Sequence, residues 1–237
     1  MSPKAPHPAA AIAALNLFGG LPKTALEEVV ACARIQTVPR GARLFDQGEP
    51  VERAHVLLSG AIRISQAGSD GGEIAIRFIA PGEIFGSVAI FTDHCYPADG
   101  IAMIESIEAS WAYAELLDLL ERHPRIALNL VTIVGRRLAE LQNRVREMAT
   151  QRVESRIANT LLRLARQAGR TSGHGTEIIF PLRRKDIADL SGTTLHTVSR
   201  TLNQWHRRGL IIDNKPGLIL ASPDTIEQIA ESHGGRG

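Results

Sequence analysis

The chain is short of cysteine. Two occur in 237 residues, Cys32 and Cys95, and neither belongs to a C-x-x-C pair or a cluster. That excludes an iron–sulfur cluster held by several thiolates and a zinc site of the usual spacing. Two reduced thiols in a cytoplasmic protein are the expectation. Long apolar runs are missing as well. No stretch approaches the ~20 residues that cross a bilayer, and the N-terminus, MSPKAPHPAAAIAAL, lacks the apolar core of a secretory signal. A soluble protein with no membrane partner follows. The chain also lacks the close His-x-His, with a further acid and histidine, that a catalytic metal in a cupin-like roll requires. Between Ile35 and Tyr113 only His55 and His94 occur, far apart and without paired carboxylates beside them in sequence.

Charge is balanced overall, at +2, but unevenly spread. Residues 151–237 hold 13 Lys and Arg against 8 Asp and Glu, and residues 1–150 hold 14 against 17. A basic C-terminal part beside an acidic N-terminal part suits a polyanion partner for the former.

The stretch Arg183–Gly209, RRKDIADLSGTTLHTVSRTLNQWHRRG, reads as two helices joined by a tight turn. The first spans roughly Arg184–Leu190. Ser191-Gly192-Thr193 is the turn, where glycine tolerates the φ > 0 of a sharp reversal. Thr193 or Thr194 can cap the second helix through its hydroxyl. Val198, Leu202 and Trp205 form one apolar stripe on that helix, and Gly209 ends it. His196, Thr197, Ser199, Arg200 and Asn203 share the polar face. Small polar groups and an arginine on the second helix are what a helix-turn-helix offers the major groove. An ordinary αα-hairpin with a wet outer face is the alternative. The candidate DNA contacts are Arg184, Lys185, Thr194, His196, Thr197, Ser199 and Arg200. The apolar runs 210–212 and 218–220 flank Asp213–Gly217 as a hairpin behind the second helix, a winged arrangement.

Ahead of this lie three further regions. Residues 1–11 form an expected disordered tail, rich in proline and alanine. Residues 12–123 open with helical periodicity to about Ala33. They then pass into short β-rich runs punctuated by glycine and proline, including a hairpin across 67–72, and end in a short helix near 115–121. Such spacing predicts a small antiparallel barrel or roll. From Pro124 to Thr150 a long helix carries Ala127, Val131, Val134, Leu138, Leu141, Val145 and Met148 at alternating spacings of four and three. That is an unbroken a/d seam with charged flanks, and it predicts a two-stranded contact with a second copy of the chain. Packing of that face on the chain's own barrel is the alternative. Residues 151–232 make the C-terminal domain. There a helix over Val153–Gln167, a loop over Gly169–Thr176 and a strand over Glu177–Leu182 lead into the helix-turn-helix. The expected fold class is α+β: an N-terminal antiparallel β-roll, a long dimerisation helix and a C-terminal winged helix-turn-helix.

Barrel, seam helix, hinge and winged helix-turn-helix in this order resemble the CRP/FNR family of bacterial transcription regulators. The resemblance runs from LFGGLP to the second wing strand. It is most specific in RVESRIANTLLRLA (152–165) and DIADLSGTTLHTVSRTLNQWHRRGLI (186–211). It implies a homodimer on a palindromic double-stranded operator with half-sites like TTG and CAA, and RNA polymerase as a partner. The family's recognition motif, Glu-x-x-(Ser/Gly)-Arg, reads here His196-Thr197-Val198-Ser199-Arg200. Ser199 and Arg200 carry over, whereas His196 replaces the glutamate. A neutral imidazole has one acceptor nitrogen and a charged one none, so the base read by that glutamate changes. Arg184 falls where the family commonly touches a backbone phosphate.

The sensor half departs further. Members that bind cyclic AMP carry Gly-Glu and then Arg-Ser in the phosphate cassette. Aligned through PGEIFGSVAIF, this chain has Gly86-Ser87 and then Pro97-Ala98, with no arginine for the cyclic phosphate. The resemblance therefore implies no cyclic AMP and no iron–sulfur cluster. What remains is similar to the nitric-oxide-responsive, NnrR/DNR-like branch, which implies haem as a possible cofactor. Axial candidates are His55, His94, Cys95, Tyr96 and His123. The effector pocket is expected around His55, Gly86, Ser87, His94 and Tyr96. Two rivals stand beside this reading: a regulator of the same family that takes no effector or is controlled by thiol oxidation, and a cupin-like enzyme.

Overall fold

The computed structural model describes residues 8–68, 72–87, 94–214 and 217–232. Residues 69–71 of the hairpin turn expected across 67–72, the second half of the run 84–91 and the tip of the C-terminal hairpin at 215–216 lie outside the described residues. The chain divides into two compact units, Met1–Gln66 with Ile79–Ala139 and Ala67–Phe78 with Glu140–Gly237. The division differs from the expected 12–123, 124–150 and 151–232. It cuts the long helix near its middle and groups 67–78, part of the expected roll, with the C-terminal unit.

In the first unit, helix α1 (Pro8–Ala13) begins inside the stretch 1–11 expected to be a disordered tail. Ile12 is fully buried, which is why the helix is held. A single 3-10 turn, Asn16–Phe18, and α2 (Lys23–Cys32) follow. Strands β1 (Arg34–Val38), β2 (Arg43–Phe45), β3 (Arg53–Ser59), β4 (Ile62–Ala67), β5 (Glu73–Ile79), β6 (Ile84–Phe85), β7 (Asp99–Ala102) and β8 (Ser106–Ala112) form two four-stranded sheets. Their orders are β1-β8-β3-β6 and β2-β7-β4-β5. Helices α3 (Tyr113–Arg122) and α4 (Pro124–Thr150) follow; β5 as far as Phe78 and α4 from Glu140 belong to the second unit.

Strands β3 and β8 pair antiparallel with His55 opposite Ser110 and Val56 opposite Ala109. Because side chains alternate across a strand, each of the two serves two cores. Ala54, Val56, Ala109 and Trp111 face a helical layer with Ile12, Phe18, Val29, Leu116, Leu119, Ile126 and Leu130. The Trp111 indole N–H donates to the Val29 carbonyl at 2.9 Å, and its ring meets Phe18 edge-on with centroids 5.2 Å apart. Leu57 instead turns inward, to a core of Val38, Phe45, Ile62, Ile79, Phe85 and Tyr96.

Helix α4 has two apolar faces. Ile126 and Leu130 are buried in the helical layer. The expected seam is uncovered: Val131, Leu138 and Val145 are 69%, 56% and 67% exposed, and Val134, Leu141 and Met148 are exposed too. Within the first unit, Val131, Val134 and Leu138 are thus not covered by the roll.

In the second unit, α5 (Val153–Ala168) buries Ile157, Leu161 and Leu164. The stretch 169–176, expected to be a loop, instead forms a hairpin of β9 (Gly169–Ser172) and β10 (Gly175–Ile178). The expected strand over 177–182 accordingly stops at Ile178. Backbone pairing, with Thr176 opposite both Thr171 and Leu220, overrides the polar, glycine-rich composition that reads as a loop. Helices α6 (Arg184–Ser191) and α7 (Leu195–Arg207) follow, then β11 (Ile211–Asn214), β12 (Gly217–Leu220) and α8 (Pro223–Glu231). The sheet order is β11-β12-β10-β9. Among the described residues, no helix is long and apolar enough to cross a membrane.

One glycine in the roll has no tolerance for a side chain. Gly60, between β3 and β4, has φ +101°, and a Cβ there would lie 2.2 Å from Ser106 Oγ and 2.7 Å from its backbone Cα. Gly60→Ala is expected to cost about 2–4 kcal/mol, from a forbidden φ and a backbone overlap together. Urea titration of the purified variant checks this; a loss under about 0.5 kcal/mol would place the β3–β4 turn elsewhere.

Candidate nucleic-acid interface and sensor core

The helix-turn-helix is assembled by local chemistry legible in its residues. Arg183 and Asp186 close the start of α6. The buried Asp186 carboxylate accepts the Arg183 backbone N–H at 3.0 Å and its guanidinium at 2.7 Å. Burial pushes the Asp186 carboxyl up, and the bonds from Arg183 oppose that shift. Gly192 takes the left-handed conformation, φ 61° and ψ 47°, as the cap of α6. Of the two threonines that could cap α7 it is Thr194, whose Oγ1 accepts the Thr197 N–H at 3.2 Å. Val198, Leu202 and Trp205 are buried as one stripe. The Trp205 indole N–H donates to Glu154 on α5 at 2.9 Å, fixing the rotation of α7 about its axis.

The opposite face of α7 is open. His196, Arg200 and Asn203 are exposed, and Thr197 and Ser199 are half-exposed. Arg184, placed by its sequence as a phosphate contact, is braced within the motif. Its guanidinium donates to the Ser199 carbonyl at 3.1 Å and to Asn203 Oδ1 at 2.8 Å, and lies 3.5 Å from Asp213 on β11. Lys185 faces away from α7. It donates to the Glu73 carbonyl and lies 3.1 Å from Asp189, whose carboxylate also accepts the Ala75 N–H at 3.0 Å. Phe78 stacks on Phe180 in the same unit, centroids 4.8 Å apart. Six of the seven candidate contacts thus sit on α7 or beside it, and Lys185 is separately engaged.

In the sensor core the structure brings together three of the five candidate pocket residues. His55 turns inward, and a Cβ on Gly86 would meet its ring at 3.0 Å and that of Tyr96 at 3.2 Å. Phe45 stacks on Tyr96 with centroids 4.1 Å apart, and Phe85 stacks on His55 at 5.3 Å. Ser87 is buried. His94 does not join them. It is exposed, with φ 56°, and its ring meets Tyr113 edge-on. The Tyr96 hydroxyl donates to the Arg53 carbonyl at 2.8 Å, and burial pushes its pKa up. His123 is held by Glu28 at 2.9 Å.

Sequence reasoning missed the partner of His55. Glu108, fully buried on β8, places Oε2 2.8 Å from His55 Nδ1, while its other oxygen has no hydrogen-bond partner among the described residues. The two are diagonal neighbours across the β3–β8 ladder, so strand register makes the pair where the sequence separates its members by 53 residues. Arg144 and Arg156 were missed as well. Arg144 donates to the Ile76 carbonyl at 3.3 Å and to the Leu190 carbonyl at 3.1 Å, and burial, with Arg163 and Arg77 nearby, lowers its pKa.

Comparison with known proteins agrees with both halves. Residues 35–123 match the cyclic nucleotide-binding domain and residues 155–229 the Crp-like helix-turn-helix domain. The chain is 27% identical over 212 residues to a CRP-like cAMP-activated global transcriptional regulator of Mycobacterium tuberculosis, covering 89% of this chain and 95% of that protein. The structure of FixK2 from Bradyrhizobium japonicum shares the fold at TM-score 0.72 and 21% identity, covering 86% of this chain and 99% of that one. Nitrogen fixation regulation protein FixK of Azorhizobium caulinodans is 30% identical over 173 residues, 73% of this chain and 68% of that protein. A cyclic-nucleotide-binding type of roll ahead of a helix-turn-helix with an open polar recognition face places this chain in the CRP/FNR family of DNA-binding transcription regulators.

Proposed function

We propose that the chain acts as a homodimer that reads a palindromic operator through α7, governed by a signal other than cyclic AMP. The observation that carries the dimer is the uncovered seam on α4. Full burial of a leucine or valine contributes about 1.5–3 kcal/mol. Six such positions on each of two helices supply enough to offset an association cost of about 4–15 kcal/mol. A two-fold seam sets two copies of α7 about 34 Å apart, one turn of duplex, for half-sites like TTG and CAA. Arg200 forks to guanine O6 and N7, Ser199 and His196 lie beside it, and Thr194 and Thr197 stand at the tip of the helix. RNA polymerase is the protein partner at the promoter.

For the sensor we propose a nitric-oxide or redox signal. Support comes from the cassette, where exposed Pro97 and buried Ala98 stand in place of the arginine and serine that hold a cyclic phosphate. Haem does not fit the roll as it is closed. His55 is enclosed by Phe45, Phe85 and Tyr96, and the Tyr96 hydroxyl and His123 are engaged. Exposed His94, beside half-buried Cys95, is the candidate ligand outside that core.

Five outcomes test this. Leu138→Lys with Leu141→Lys puts two unpartnered charges per chain into the seam, and a monomer without operator binding is expected on sedimentation. A dimer that still binds would sink the proposal. Arg200→Ala is expected to cost about 1–3 kcal/mol on the palindrome and to spare scrambled duplex. Arg184→Ala should weaken both and reduce the salt slope by about 0.9 for each phosphate that is no longer neutralised. An equal fall on both duplexes for Arg200→Ala would mean that Arg200 touches phosphate instead of a base. Calorimetry is expected to show no micromolar binding of cyclic AMP, and any haem uptake should be abolished by His94→Ala. Cyclic AMP binding, or haem uptake surviving that substitution, overturns the respective half.

A further inference from the structure

The hinge between α4 and α5 holds an arginine that gathers backbone carbonyls from two helix ends. Arg156, in the first turns of α5, donates through Nη1 to the Met148 and Gln151 carbonyls at 3.4 and 3.2 Å. Through Nε and Nη2 it donates to the Ser191 and Gly192 carbonyls at 3.0 and 3.1 Å. The first two belong to the end of α4 and the bend after it. The second two belong to the end of α6 and the turn that launches α7. Both ends present the unsatisfied carbonyls and negative dipole of a helix C-terminus. A cation near the N-terminus of α5 is unfavourable to that helix's own dipole, so the residue's role lies in the two ends it joins. Only a guanidinium has enough donors in one rigid plane to hold them both; an ammonium does not.

Neighbouring contacts act in the same sense. Arg163 pairs with Glu147 at 2.7 Å, tying α5 to the last turns of α4. Arg144 adds the Leu190 carbonyl to those held at the end of α6. Met148, the last seam position, lies against the turn: a Cβ on Gly192 would be 3.5 Å from its Cε.

We infer that Arg156 is a positioning residue that sets the spacing of the two recognition helices, by fastening the end of the seam helix to the turn ahead of α7. It touches no DNA and determines which half-site separation the dimer accepts. The inference rests on the dimeric reading above.

The test uses the full-length protein and a family of palindromes. Their half-sites are those that wild type recovers from a random duplex pool, with the spacer unchanged or altered by one or two base pairs. Wild type is expected to prefer one spacing. Arg156→Lys keeps the charge and loses the fork. At the preferred spacing it should bind about tenfold more weakly, the loss of one or two hydrogen bonds to a charged group. At altered spacings it should bind as wild type does, so the spacing profile flattens. Leu161→Ala, buried in α5 away from these carbonyls, destabilises the same unit and should keep the wild-type profile. An equal fall at every spacing, or an unchanged profile in Arg156→Lys, overturns the inference alone. A wild-type protein that sediments as a monomer, or binds all spacings alike, overturns the dimeric reading and the inference with it.

Discussion

Ile126 and Leu130 bury one face of α4 beneath Trp111 and the short N-terminal helices, while the seam from Val131 to Met148 is left in water. One helix serves as a wall of the sensor core and as an uncovered apolar stripe. The stripe follows a 3.5-residue repeat, and a helix turns once every 3.6 residues. That mismatch makes the stripe drift slowly around the helix; what separates the two sets is that Ile126 and Leu130 lie in the first turns and the uncovered positions run on from Val131. The rest of the protein depends on this. On the dimeric reading proposed above, the end of α4 becomes a fixed origin for whatever follows it; in the chain itself α5, α6 and α7 are attached at that end through Arg156, Arg163 and Arg144.

The roll is built on a similar economy of faces. β3 and β8 are buried on both sides, so Val56 and Trp111 hold the helices while His55 and Glu108 point inward. A carboxylate that is fully buried and uses one oxygen on an imidazole is a costly group in an apolar interior. Its neighbours, Phe45, Phe85 and Tyr96, are rings in mutual contact around the histidine. This interior fills the space beside His55 with rings, whereas His94 and Cys95 lie outside it.

Much of this was legible from residues alone. The a/d seam, the Val198-Leu202-Trp205 stripe and the Gly192 turn are local or periodic signals, and local backbone sterics or helix geometry fix each of them; the family was legible through its resemblance. The misses share a cause. The hairpin over 169–178 has a loop's composition and is held by pairing with β12, some forty residues on. The helix at Pro8 is held by burial of Ile12 against distant strands. No property of either segment by itself announces the partner.

The sequence by itself therefore determined the class of molecule. Its periodicities and turn residues specify a helix-turn-helix behind a seam and a roll, because those patterns act within a few residues, and the Ser199-Arg200 pair carries the resemblance to the family's recognition motif. Only the tertiary structure decided which side chains meet. Strand register brought His55 to Glu108. The fold of the second unit took Arg156 to four carbonyls from two helix ends and left Lys185 on Glu73 and Asp189. Such meetings depend on contacts between residues tens of positions apart. A hydrogen bond's few ångströms of reach make them invisible until the chain has closed on itself.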